Sequence, residues 1–142
     1  MSVSQINLRQ INVVAAAIQR SSDGRYLLAR RKSGEVGAGL WEFPGGKIEP
    51  EETEQTALVR EIQEELGLQL GETSLQFVAR HVYDYPQLRV HLSLWRSIVS
   101  EPIDVKLIDH DMIDWKLPSE LLRSEQFLLE LSPADHYFLA FL

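Results

Sequence analysis

Residues 46–68 read GKIEPEETEQTALVREIQEELGL, and this stretch predicts a loop followed by an amphipathic helix. Positions 53–66 contain no Gly or Pro and are rich in Glu, Gln, Leu and Ala, which favours a helix. Pro50 precedes the helical stretch and Gly67 follows it, in the usual order of start and stop signals. Apolar residues at positions 58, 59, 62 and 66 predict the side that faces a core.

Three carboxylates lie on a different face of this predicted helix. Glu61, Glu64 and Glu65 are spaced i, i+3 and i+4, so their side chains are neighbours. They repel one another unless positive charge lies among them, and Arg60 offsets one charge because Glu64 is four residues further on. A hard divalent cation offsets the rest, since Mg²⁺ takes carboxylate, water and phosphate oxygens as ligands. The alternative for the cluster alone is an ordinary solvated acidic face.

The whole stretch follows a fixed frame of glycines, glutamates and one arginine. The frame is Gly, five residues, Glu, seven residues, Arg-Glu, an aliphatic residue, one residue, Glu-Glu, one residue, Gly and an aliphatic residue. It resembles the Nudix box, the signature of hydrolases that cut a nucleoside diphosphate linked to another group. More loosely, most of the chain resembles the MutT branch and the related CTP pyrophosphohydrolases. The resemblance implies the Nudix fold, an α/β/α sandwich with a mixed β-sheet, and Mg²⁺ as cofactor, with Mn²⁺ able to take its place.

The resemblance also implies roles for the box and its surroundings. The expected metal ligands are the carbonyl of Gly45 and the carboxylates of Glu61, Glu64 and Glu65. One glutamate of the cluster, or Asp109, is expected to act as general base, with Asp111 as the alternative to Asp109. Arg60 is expected to orient Glu61 rather than to contact substrate. These assignments make Arg60, Glu61, Glu64 and Asp109 the predicted catalytic set.

Five further positions are expected to bind the substrate: Arg31, Phe43, Gly46, Tyr85 and Asp135. Arg31 lies where MutT-like proteins hold an arginine that contacts phosphate, and Phe43 corresponds to a residue beside the base, or is a core aromatic. Gly46 lets the backbone approach a phosphate or a water closely. Tyr85 stacks on a base or packs at the rim. Asp135 stands where MutT proteins have an Asn that reads oxidised guanine, and the alternative is a helix N-cap.

The rest of the chain alternates predicted strands with short helical segments. Strands are predicted at residues 11–18, 26–29, 40–43, 75–83, 88–99 and 112–115, and helical segments at 118–122 and 133–142. The turn at 21–24 joins the first two strands as a hairpin, and the strands around Pro86 form a second antiparallel pair. Strands interleaved with two helices predict a mixed sheet that is covered on both faces.

Composition bounds the function classes. A chain of 142 residues predicts one domain, residues 1–142, and 44% apolar with 25% charged residues is typical of a soluble globular protein. The net charge of −7 excludes a general attraction for nucleic acid or anionic membranes, and a polyphosphate substrate then needs bound cations or local basic residues. The absence of Cys excludes disulfides, thiolate nucleophiles and Cys-ligated zinc. The N-terminal residues contain no apolar signal core, so we expect a cytoplasmic protein, and the pattern gives no oligomeric state.

The four histidines show no zinc spacing and are expected to be structural or exposed: His81, His91, His110 and His136.

The resemblance to the MutT branch implies a Mg²⁺-dependent nucleoside triphosphate pyrophosphohydrolase, which releases a nucleoside monophosphate and pyrophosphate after water attacks the β-phosphorus. The stretch EFPGGKIE at residues 42–49 favours a MutT-like enzyme that removes oxidised nucleotides such as 8-oxo-dGTP, narrowly ahead of a CTP or dCTP pyrophosphohydrolase. The negative net charge disfavours an RNA 5′-pyrophosphohydrolase, and the short segment before the first strand disfavours an ADP-ribose pyrophosphatase. The complete set of box glutamates disfavours a non-catalytic ligand sensor.

Overall fold

A computed structural model of the chain describes residues 8–123 and 131–142. Within these ranges, seven strands form one mixed sheet: β1 Arg9–Arg20, β2 Tyr26–Arg31, β3 Trp41–Glu42, β4 Gly45–Lys47, β5 Gln76–Tyr85, β6 Leu88–Val99 and β7 His110–Lys116. The main path runs β3-β2-β1-β6-β5, with β4 beside β1 and β7 beside β2. β1 and β6 are parallel and the other pairs are antiparallel. The continuous apolar run in β1 is explained by its central position, since both its faces are covered.

One face of the sheet is covered by α1, Glu54–Leu66, which carries the acidic cluster. Thr53 caps its first turn, because its side chain accepts from the Thr56 N–H while the Thr56 hydroxyl accepts from the Thr53 N–H. Gly67 ends the helix in the left-handed conformation at φ 63°. The buried side of α1 packs against β1 and β2, and this layer includes Val14, Ala16, Ile18, Leu27, Ala57, Leu58, Ile62 and Leu66. The packing leaves Glu61 and Glu65 on the side of the helix that faces β4, while Glu64 is 57% exposed.

The other face is covered by the C-terminal part of the chain. The C-terminal elements are α2 Pro118–Arg123, α3 Pro133–His136 and a 3₁₀ helix at Tyr137–Phe141. A separate 3₁₀ turn, Glu72–Ser74, lies earlier in the chain between α1 and β5. Phe138 and Leu139 are buried against the sheet. The layered arrangement confirms the predicted α/β/α fold with a mixed sheet. Among the described residues, no helix is both long enough and apolar enough to span a membrane.

Two local predictions differ from the structure. The residues before α1 were expected to form a loop, but Gly45–Lys47 forms β4, which pairs with residues 13–15 of β1. The terminal helix expected at residues 133–142 is α-helical only over Pro133–His136 and then tightens to a 3₁₀ helix, in which Phe138 and Leu139 reach the core.

Candidate active site

A cleft of about 800 Å³ opens beside β1, β3 and β4. It brings together residues that are distant in the sequence, because β3, β4 and the ends of β2 and α1 meet at this part of the sheet. Eight of the predicted site residues line it: Arg31, Phe43, Gly45, Gly46, Glu65, Tyr85, Asp109 and Asp135. The other three, Arg60, Glu61 and Glu64, lie on α1 at the Glu65 end, outside the cleft lining.

Gly45 presents backbone polar groups to the metal end of the cleft. In the β1–β4 register, Val14 pairs with Gly46 and exchanges backbone hydrogen bonds with it, so the N–H and C=O of Gly45 point away from β1. The Gly45 N–H interacts with the Glu65 carboxyl. A side chain at position 45 would place its Cβ 2.7 Å from the Ala15 Cα, so only glycine fits this close strand pairing. The geometry leaves the Gly45 carbonyl unpaired with β1, as a metal ligand would require.

Gly46 makes room for Glu61. A Cβ at position 46 would lie 2.5 and 2.6 Å from the two Glu61 carboxylate oxygens, so any side chain there would displace the Glu61 carboxylate. Because the Gly46 N–H bonds Val14 in this register, its amide is already used in the sheet. The structure thus gives Gly46 a different reason from the predicted approach of phosphate, and its substrate contact stays a prediction.

Arg60 gathers five acceptor oxygens from four residues around one guanidinium. Its Nε and Nη2 bond the two oxygens of Glu52, both at 2.8 Å, and Nη2 also bonds the Lys47 carbonyl at 3.1 Å. Its Nη1 lies 3.0 Å from Glu61 Oε1 and 3.3 Å from Glu64 Oε2. The hydrogen bonds from Arg60 lower the pKa of Glu52 to about 2. Arg60 therefore holds Glu61 without facing the cleft, which is the arrangement that its predicted orienting role needs.

Glu65 is the most strongly perturbed acid at this end of the cleft. Burial, together with the negative charges of Glu42, Glu61 and Asp109, raises its pKa to about 9, although the Gly45 N–H acts in the opposite direction. Its Oε2 is buried and has no hydrogen-bond partner among the described residues. An unpartnered buried oxygen among several carboxylates is the environment in which a cation is most strongly favoured.

The residues present fit a divalent cation, but they are not already arranged around one. Among residues 8–123 and 131–142, no three His, Asp or Glu side chains are grouped as metal ligands. Glu61 and Glu64 each direct one oxygen to Arg60, and Glu64 is 57% exposed, so their other oxygens must turn toward Glu65 to complete a shell. Oxygen donors from three carboxylates and one carbonyl suit Mg²⁺ or Mn²⁺.

Glu42 and His110 complete the middle of the cleft, and neither was predicted as a site residue. The Glu42 carboxylate accepts from Arg31 Nε at 2.8 Å and lies 2.9 Å from His110 Nε2. Arg31 Nη1 donates to the Val36 carbonyl at 2.9 Å, which ties the loop at 32–39 to the cleft. His110 is buried, and its Nδ1 has no partner in the described part of the chain. In the sequence, the only indication that Glu42 belongs to the site was its position directly before Phe43.

The structure separates Asp109 from Asp111, which the sequence left as alternatives, and Arg31 from the neighbouring Arg30. Arg30 forms an ion pair with Asp111 at 2.7 Å, and neither residue lines the cleft. Arg31 and Asp109 do line it. Asp109 is exposed, so it is free to reach a bound substrate, and its role as general base stays a prediction.

Asp135 lies at the other end of the cleft. Ser132 is the N-cap of α3, so Asp135 is not the cap. Its carboxyl is buried near the Phe43 backbone N–H, and burial together with the charge of Glu42 raises the pKa of Asp135 well above its ordinary value. In its protonated form this acid both donates and accepts a hydrogen bond. Phe43 belongs to the core and also lines the cleft, and Tyr85 lines the cleft as well.

The chain is similar to known proteins along nearly its whole length. A family model described as NUDIX domain matches residues 9–139. CTP pyrophosphohydrolase of Escherichia coli (strain K12) is 39% identical over 128 residues, which cover 90% of this chain and 87% of that protein. 8-oxo-dGTP diphosphatase of Proteus vulgaris is 32% identical over 98 residues, 66% of this chain and 85% of that protein. The crystal structure of the MutT protein from Methanosarcina mazei Go1 matches with a TM-score of 0.81 and 25% identity, over 96% of this chain and 94% of that one.

Proposed function

The chain belongs to the NUDIX domain family and is a Nudix pyrophosphohydrolase, and from this premise we propose that it is a Mg²⁺-dependent nucleoside triphosphate pyrophosphohydrolase that acts on 8-oxo-dGTP. One observation carries the proposal: a single cleft joins an acidic end, where a buried Glu65 oxygen has no partner among the described residues, to the buried carboxyl of Asp135, whose pKa is raised by burial. A polyphosphate lies between these ends, with the base beside Asp135.

The acidic end supplies the chemistry of hydrolysis. Glu61, Glu64, Glu65 and the Gly45 carbonyl would hold the cation, which neutralises phosphate charge and lowers the pKa of the attacking water when bound. Arg60 keeps Glu61 in place, and a glutamate of the cluster or Asp109 accepts the proton of the water. Arg31 contacts the phosphates with the part of its guanidinium that Glu42 and Val36 leave free.

The base end supports 8-oxoguanine for a reason that the sequence did not provide. An ionised Asp only accepts hydrogen bonds, whereas a protonated Asp135 accepts from the N7–H of 8-oxoguanine and donates to the guanine carbonyl. Burial favours this protonated form. The acid then offers the same donor and acceptor pair as the Asn of MutT proteins.

CTP is the second candidate substrate. It is favoured by the 39% identity to the CTP pyrophosphohydrolase of Escherichia coli, which extends over 90% of this chain. Protonated Asp135 also suits cytosine, because it accepts from the exocyclic amine and donates to N3. The two nucleotides are therefore separated by measurement rather than by the hydrogen-bonding capacity of Asp135.

The test compares kcat/KM for 8-oxo-dGTP, dGTP, CTP and dCTP in the wild type, in Asp135→Asn and Asp135→Ala, and in the control Asp114→Asn, whose half-buried residue lies outside the cleft lining. We expect Asp135→Asn to retain activity on 8-oxo-dGTP, because the amide also donates and accepts a hydrogen bond. Asp135→Ala should lower kcat/KM for 8-oxo-dGTP relative to the other substrates by about 1–3 kcal/mol, roughly 10- to 200-fold. A higher kcat/KM for CTP than for 8-oxo-dGTP in the wild type assigns CTP. If all four substrates fall equally in both Asp135 variants, Asp135 does not read the base.

A further inference from the structure

Glu42 occupies the junction between the two ends of the cleft, and two side chains hold it. Arg31 Nε donates to Glu42 Oε1 at 2.8 Å, and His110 Nε2 lies 2.9 Å from Glu42 Oε2. Because a carboxylate only accepts, His110 Nε2 is the protonated nitrogen of this contact. The Glu42 side chain is 12% exposed and that of His110 only 3%, so the contact is shielded from water.

A bulge in β7 creates this contact. Arg30 lies opposite Met112, but Arg31 lies opposite His110, so Asp111 is an extra residue on β7. A regular register would have placed Asp111 opposite Arg31. The bulge instead leaves Asp111 paired with Arg30 outside the cleft and puts the hydrogen-bond donor of His110 beside Glu42. The carboxylate of Asp111 in that place would repel Glu42.

Packing alone does not account for a histidine at this position. The Nδ1 of His110 is buried without a hydrogen-bond partner in residues 8–123 and 131–142, and such an atom destabilises the fold relative to an apolar side chain. The donor on Nε2 is the part of the ring that the structure uses. Its single acceptor, Glu42, is also the residue that holds Arg31.

Arg31 is in turn oriented by two anchors. Glu42 binds its Nε and the Val36 carbonyl binds its Nη1, while Nη2 makes no hydrogen bond to any residue that the structure describes. A guanidinium fixed through two nitrogens presents the third in one direction.

We propose that His110 is a positioning residue: by donating to Glu42 it fixes the carboxylate that aims Arg31 Nη2 at a substrate phosphate. The inference rests on the proposed function, because it takes Arg31 as the phosphate contact. It assigns Glu42 and His110 to the substrate site through Arg31, with no contact of their own to the reacting atoms.

The test uses His110→Leu, which fills the site without a donor, and His110→Gln, whose side-chain amide restores one. We expect His110→Leu to lower kcat/KM for 8-oxo-dGTP and CTP by about 10- to 100-fold, as misplaced groups do, and His110→Gln to recover most of it. In an Arg31→Ala background, His110→Leu should cost no further activity, because its effect passes through Arg31. Asp114→Asn, a change on the same strand at a side chain that is 47% exposed, controls for local disturbance, and thermal melting confirms folding of every variant.

A second readout does not depend on turnover. The Arg31 Nε–H proton, observed by NMR, should lose its protection from exchange with water in His110→Leu and keep it in His110→Gln and Asp114→Asn. The inference would be overturned if the activity losses of Arg31→Ala and His110→Leu multiply in the double variant. It would also be overturned if the Arg31 Nε–H signal is unchanged in His110→Leu. If the wild type cleaves no nucleoside triphosphate with Mg²⁺, the proposed function fails, and the Nε–H signal still decides whether His110 positions Arg31.

Discussion

Replacing Glu65 by Gln should make the metal-free protein more stable at neutral pH while abolishing its activity. The pKa of Glu65 is raised from 4.5 to about 9, first by burial and then by Glu42, Glu61 and Asp109. At pH 7 the folded chain therefore keeps a proton that the unfolded chain has released. The stability contribution is complete below pH 4.5 and is lost as the pH rises toward 9.

The size of the effect at pH 7 follows from how far this pH lies above the ordinary Glu65 pKa of 4.5. Each pH unit above 4.5 costs about 1.4 kcal/mol of folding free energy, so the cost at pH 7 is about 3 kcal/mol. The Glu65 side chain is not completely buried, which reduces the expected gain in Glu65→Gln to about 1–3 kcal/mol. The neutral amide keeps the shape of the protonated acid and has no proton to lose, but it is a poorer ligand for a cation.

Urea unfolding in EDTA at pH 5, 7 and 8.5 measures the effect. The free energy of unfolding should fall with pH more steeply in the wild type than in Glu65→Gln, with the largest difference at pH 8.5. Glu64→Gln makes the same chemical change at a side chain that is 57% exposed, and it should bring no comparable gain. Mg²⁺ should then stabilise the wild type more than Glu65→Gln. Equal pH slopes for the wild type and Glu65→Gln would refute the reasoning.

Four substitutions test the box. Glu64→Gln should lower kcat by about 10³-fold, because it removes an anionic ligand at constant shape, and thermal melting should stay near normal. Near-normal turnover in both Glu64→Gln and Glu61→Gln would exclude the metal assignment. Arg60→Ala should weaken activity and Mg²⁺ affinity together by roughly 10- to 100-fold, and coinciding Mg²⁺ titrations of mutant and wild type would make Arg60 a surface cation only. Gly46→Ala should destabilise the fold by about 1–3 kcal/mol and displace Glu61, because the alanine Cβ would meet the Glu61 carboxylate. Unfolding curves and kcat values that match the wild type would contradict this contact.

The parts that could be predicted from the sequence are those set by local signals. The α1 helix follows from residues next to it in the chain, with Thr53 at its start and Gly67 at its end. The spacing of its glutamates required only the helical period. The mixed sheet followed from the alternation of strands with helical segments.

The parts that were missed depend on contacts between distant residues. β4 was not predicted because its two glycines have little strand propensity, and only the pairing with β1 makes this segment a strand. Glu42 and His110 are 68 positions apart, and a one-residue bulge brings them together. Asp135 could be placed near a base by resemblance, but its raised pKa depends on burial that the spacing does not reveal.

The parallel pairing of β1 with β6 has a consequence for how the enzyme reaches its active state. These strands pair along their whole length, from Arg9 with Leu88 to Arg20 with Val99, and β2 to β5 together with α1 lie between them in the chain. Contacts of such long sequence separation form slowly, because the chain must close a large loop before the pairing stabilises it. The catalytic helix is part of that loop. A nascent or partly refolded chain therefore contains the complete hydrolase motif before it contains the sheet that gives the motif its geometry, and recovery of activity should follow closure of the sheet centre rather than formation of the helix.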